Sequence, residues 1–196
     1  MSINPRPMLS WATTPGASSY IVQVQGIAPV NWEREVQNTQ LAYPKDQPVM
    51  QPGNVYTINI IAKRGDKFIP SSTFVLLVPE DRARQVATTI ERLESLKQSP
   101  DEQAIDTDAV YNAQGLLDES IAVLSARIKA GSQNPAIYRL LGERYLQGDA
   151  FSAASSALAN AIALAQKVNN ADELAKAEVE AKIAAQAQAK VYHQRE

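Results

Sequence analysis

The chain of 196 residues has no cysteine and a single histidine, His193. Without thiols there are no disulfides, thiolate metal sites or cysteine nucleophile, and the redox compartment is left open. Glycine is scarce, at eight residues, and no glycine-rich run has the spacing of a phosphate-binding loop. No stretch approaches the ~20 consecutive apolar residues of a membrane-spanning helix, so no transmembrane segment is expected. Residues 1–9 lack an apolar run with a basic flank, so no signal peptide is expected within this chain. There is no Asn-x-Ser/Thr sequon.

The polar residues that are present do not assemble a reaction centre. His193 stands near the C-terminal end, beyond the periodic helical pattern, where a base could not be held rigidly. Ser152, Ser155 and Ser156 lie in an alanine-rich stretch with no neighbouring base, and suit close packing and solvent positions. Glu33/Glu35 and Asp106/Asp108 are sparse, local carboxylate pairs. No catalytic, metal or cofactor-binding residue is assigned, and a non-enzymatic role is expected. Residues 1–79 carry six Lys/Arg against four Asp/Glu, and the remainder thirteen against seventeen. Neither half has the basic stripe with interleaved aromatics that neutralises phosphates, so a nucleic-acid partner is not expected.

What is present divides at Pro79. Before it, apolar residues alternate: Leu9/Trp11, Tyr20/Val22/Val24, Trp32/Val36, Leu41/Tyr43, the β-branched run 55–62, and a last strand over 73–78. Thr14-Pro15-Gly16, Gln51-Pro52-Gly53 and the charged stretch 63–67 punctuate them as turns. Short strands at this spacing, with no helical period, predict an antiparallel β-sandwich over residues 1–78. After Pro79 the period changes to that of helices. Ser99-Pro100-Asp101-Glu102 combines an N-cap, a first-turn proline and a capping-box glutamate, and Asn134-Pro135 repeats the cap and proline. Large and small residues, namely Tyr138, Leu141, Gly142, Tyr145, Phe151, Ala154, Leu158 and Ala161, fit a helix, a turn at residues 147–149, and a second antiparallel helix.

At a step of 34 residues, Tyr111, Leu117, Ser120 and Leu124 precede Tyr145, Phe151, Ala154 and Leu158, and Val86, Ile90 and Leu93 stand two steps before Ala154, Leu158 and Ala161. This resembles the tetratricopeptide (TPR) repeat, a 34-residue helix–turn–helix. The resemblance covers units 101–134 and 135–168, flanked by helices near 80–97 and 171–192, about six helices in residues 79–196. Thr107 and Asp108 depart from the pattern where Leu141 and Gly142 stand in the second unit. The turn glycine falls one residue early, at Gly148, and Gln166 replaces the late proline. Ile105 and Ala109 occupy the positions where peptide-carboxylate-clamping members of the family carry lysine and asparagine. The N-terminal grouping of Leu9, Trp11, Pro15-Gly16-Ala17, Tyr20, Val22, Val24, Met50, Pro52-Gly53, Tyr56, Ile60 and Ala62 resembles a fibronectin type III domain, with another seven-stranded sandwich as the alternative. That resemblance implies that Trp11 is core and that Tyr56 is a corner tyrosine bonding back to the backbone.

The fold class expected is therefore α+β multidomain: a fibronectin-III-like β-sandwich followed by an all-α, TPR-like hairpin array. The pairing resembles bacterial envelope proteins, which implies a place outside the cytoplasm if a leader is removed. A protein partner is expected on the first-helix face of the array, with Asn112, Arg139, Glu143 and Leu146 as contact residues. Arg139 and Glu143 are offset by two residues from the inward-pointing Leu141 and Tyr145, about 200° around the helix, and so point away from the hairpin core. Two competing expectations are a homo-oligomer formed through the helix 171–192 and a carbohydrate- or surface-binding role with Trp32 as a stacking platform. Arg64-Gly65-Asp66, an adhesion tripeptide in one member of the fibronectin family, is expected to be a plain exposed turn.

Overall fold

The computed structural model describes residues 1–193, with side chains described through residue 190. The chain forms two compact units, Met1–Gln85 and Val86–Glu196. The division falls inside a helix that begins directly after Pro79, and so lies a few residues beyond the proline where the sequence period switches.

The first unit contains strands β1 (Met8–Ser10), β2 (Ser19–Gln25), β3 (Asn31–Val36), β4 (Gln40–Ala42), β5 (Val55–Arg64) and β6 (Lys67–Leu76). All pairs between them are antiparallel: β1 pairs with β4, and the four-stranded sheet runs β3-β2-β5-β6. Alternation sets the buried face. Tyr20, Val22 and Val24 of β2 and Tyr56, Ile58, Ile60 and Ala62 of β5 join Leu9 of β1, Trp32, Tyr43, Met50 and Leu77 in one core. Both sheets contribute to it.

Tyr56 is fully buried, and its hydroxyl accepts the Gln51 N–H at 2.6 Å. This is the bond back to the backbone, five residues upstream, that a corner tyrosine makes. The ring lies so close to Gly26 that a Cβ there would sit 2.1 Å from Cδ1. Trp11 is only partly buried at the edge of this core, edge-on to Tyr20 at 5.6 Å. Trp32 is the buried tryptophan, 8% exposed, and its indole N–H donates to the Tyr43 hydroxyl at 3.1 Å. The stacking platform expected at Trp32 is therefore corrected, because its ring faces the core.

The last strand is longer than its sequence pattern shows. It starts at Lys67, paired with Arg64 across the two-residue turn Gly65-Asp66, and Gly65 takes φ +57°. Pro70 conceals this in the sequence. It lies opposite Ile61 on an edge strand, where a missing N–H is tolerated on the open side.

Six helices lie among the described residues: α1 (Glu80–Ser95), α2 (Pro100–Ala113), α3 (Leu117–Lys129), α4 (Pro135–Gln147), α5 (Phe151–Lys167) and α6 (Ala171–His193). His193 falls in the last turn of α6 rather than after it, and its side chain is outside the described residues. Ser99 caps α2 reciprocally with Glu102, and Asn134 caps α4 through the Ala136 N–H. The hairpins α2–α3 and α4–α5 bury Ala104, Leu124, Ile137, Leu141 and Ala157 between them. Gly142 lets α4 approach α5, since a Cβ would come within 2.6 Å of the Leu158 Cγ. The early glycine of the second turn has a geometric counterpart. Left-handed backbone falls on Gly115 (φ +68°) in the first hairpin and, 34 residues on, on Asp149 (φ +55°) rather than Gly148. No helix among the described residues is long and apolar enough to cross a membrane.

Because the corner ring cannot retreat from a fully packed site, Gly26→Ala should destabilise the first unit by ~1–3 kcal/mol. Gly53→Ala, whose Cβ meets nothing within 4 Å, incurs only the strain of positive φ. Denaturant unfolding followed by tryptophan fluorescence distinguishes the two substitutions.

Candidate functional site

Helices α2, α4 and α6 are joined by a ladder of charges. Arg144 of α4 is buried and grips Asp108 of α2 with both arms, at 2.9 Å from Nε and 2.8 Å from Nη2. Their side chains are 4% and 1% exposed. Burial alone would pull the Arg144 guanidinium down, but Asp108 and then Glu143 outweigh it and hold the group above its ordinary range. Glu143 bonds Arg144 at 2.9 Å and lies 3.6 Å from Arg139. Arg139 in turn bonds Glu173 at 2.7 Å and Glu180 at 3.1 Å, both on α6. Burial raises the Glu180 carboxyl above its usual value despite the pull of Arg139.

This ladder changes the surroundings expected for the contact residues. The Arg139–Glu143 pair was expected to be open to solvent, but Arg139 is 13% exposed and engaged by α6. Leu146 is not on a bare concave surface either, because with Tyr145 it packs on the Ala154/Leu158/Ala184 cluster formed by α5 and α6. Asn112 is half-buried on α2, and its carbonyl accepts the Gly115 N–H in the turn to α3. Arg139, Glu143 and Leu146 are brought together on α4, and Asn112 is on another helix. The sequence alone missed the Asp108–Arg144 pair. Its signal was a carboxylate at the position where the second unit has the packing glycine Gly142.

An open groove lies elsewhere in the second unit. A cavity of about 650 Å³ runs between α2 and α3, with Ile90 and Glu94 of α1 at its margin. From α2 come Gln103, Ala104, Thr107 and Tyr111, at helical spacing along one face. From α3 come Glu119, Ala122, Ala126 and Ala130, three or four residues apart. Ala104 and Thr107 form a buried floor, while Ala122, Ala126 and Ala130 are exposed along one wall. The two ends differ in charge. At one end Arg127 is neutralised by Asp101, which also accepts from Ser132. At the other, burial raises the Tyr111 hydroxyl, and the negative charges of Glu119 and Glu94 raise it further. Among the described residues no cluster of His, Cys, Asp or Glu could hold a metal ion. The groove is a mostly apolar trough with alanines along one wall and an acidic end.

No family model and no curated protein matches the chain. Among solved structures, the crystal structure of PcrH from Pseudomonas aeruginosa is similar at 15% identity and a TM-score of 0.46, over 54% of this chain and 83% of that one.

The buried pair generates a quantitative expectation. Asp108→Ala leaves the buried Arg144 guanidinium with only the half-exposed Glu143 as its partner and should destabilise the helical unit by ~3 kcal/mol. The double replacement Asp108→Leu/Arg144→Met removes both charges and should regain most of that loss, measured by thermal unfolding followed by the helical circular dichroism signal.

Proposed function

We propose that this protein is a non-enzymatic interaction module whose helical unit binds an amphipathic helix of a protein partner in the α2–α3 groove. The observation that carries this reading is the row Ala122, Ala126 and Ala130, exposed along one wall of an open, mostly apolar trough whose floor is Ala104 and Thr107. An amphipathic helix lays its apolar face into a groove of this kind, and the alanine wall lets its backbone come close. The fitting occupant has small or aliphatic residues at i, i+4 and i+7, and a lysine or arginine at the end that meets Tyr111, Glu94 and Glu119. The hairpins are read as TPR-like units, supported by the 34-residue step that holds from Gly115 to Asp149. The strands are read as an abbreviated fibronectin-III-like sandwich, supported by the Tyr56 corner and a core shared by two antiparallel sheets.

A displayed library of amphipathic helices selected on the full chain should enrich that pattern. Ala126→Arg fills the trough from an exposed position, so it should weaken the selected peptides at least tenfold while leaving the melting temperature within about 1 °C. Equal binding by Ala126→Arg, combined with loss on Arg139→Glu, would return the site to the face of α4.

A further inference from the structure

The repeat register leaves α6 half used. In α4, Leu141 and Tyr145 face α5; 34 residues on, Ala175 and Val179 occupy the same positions of α6, and no further helix follows among the described residues. The inward face of α6 is occupied by Ala177, Ala184 and the two glutamates bonded to Arg139. Its outward face exposes Val179 (57%) and Ile183 (51%), four residues apart, with Ala175 one turn before them. Asp172, Lys176, Gln186 and Lys190 extend this stripe to both ends, three or four residues apart at each step.

We propose that this face binds the same face of a second copy, as an antiparallel α6 pair. The charges select both the occupant and its direction. With Val179 opposite Ile183 of the second copy, a two-fold axis brings Asp172 against Lys190 at both ends. Glu178 and Lys182 lie on one flank of the stripe, and the same axis sets Glu178 of each copy about 3 Å along the helix axis from Lys182 of the other, while the two Glu178 are about 9 Å apart and the two Lys182 about 3 Å. The Asp172–Lys190 and Glu178–Lys182 pairings each occur twice, because the contact is isologous, and these four attractions outnumber the single Lys182–Lys182 approach. A parallel pair would instead stack Lys176, Lys182 and Lys190 on themselves, with Asp172 and Glu178 also facing their own kind. A helix in this position covers on α6 the surface that α5 covers on α4. The groove between α2 and α3 takes no part in this contact.

The cysteine-free chain makes the test direct. Light scattering of the full chain up to about 100 µM, far above a micromolar dissociation constant, should report a dimer. Val179→Glu/Ile183→Glu, at exposed positions, should shift the dissociation constant at least tenfold with an unchanged helical signal. Oxidation of mixed Val179→Cys and Ile183→Cys chains should give the 179–183 heterodimer in preference to either homodimer. A monomer throughout the concentration range, a dimer that survives the glutamate variant, or preferential 179–179 crosslinks would overturn the proposal.

Discussion

The helical unit depends on a guanidinium taken out of water. Arg144 is buried between two first helices and is stabilised there because Asp108 meets it with a bidentate, charge-assisted contact. That contact ties α2 to α4 at a fixed height, and through Glu143 and Arg139 the same chain of charges reaches α6. Apolar packing acts beside it, since Leu124, Ile137 and Leu141 are buried with Ala104 and Ala157 between the two hairpins. The ladder engages Arg139, Glu143 and Arg144 on α4, while the α2–α3 trough stays open.

How much of this was legible in the sequence depended on whether the signal was local. The caps at Ser99 and Asn134, the hairpin turns and the corner at Tyr56 were legible because each is a bond between residues two to five apart. On α6, Ala177, Ala181 and Ala184 recur at helical spacing; Ala177 is buried, and Ala181 and Ala184 pack with α5. The environment of Arg139 was not legible, because the carboxylates that enclose it lie 34 and 41 residues away on another helix. Geometry on a single helix placed Arg139 away from Leu141 correctly, but it could not say that α6 would cover that side. Trp32 failed for a similar reason. Alternation puts Trp32 and Arg34 on one strand face, and only the pairing of β3 with β2 shows that this face begins in the core and ends at the sheet rim, where Arg34 meets Asp46. Pro70 hid the first half of β6 because its tolerance depends on edge position, a property of the whole sheet.

Two surfaces of the helical unit are thus left with unfilled geometry, and they differ in kind. The α2–α3 trough is concave, walled on one side by alanines and acidic at one end, which suits a foreign helix with a basic terminus. The outer face of α6 is convex and self-complementary in charge, which suits a copy of itself. A dimer joined at α6 would carry two troughs, and a partner bearing two binding helices would gain from their linkage in effective concentration.

Amide hydrogen exchange on the full chain, with and without a saturating selected helix, tests most directly whether the trough between α2 and α3 is the binding surface. Binding there predicts new protection over Gln103–Tyr111 and Glu119–Ala130, with β6 and the outer face of α6 unchanged. Protection confined to α4 or to β6, with the trough exchanging as before, would contradict it.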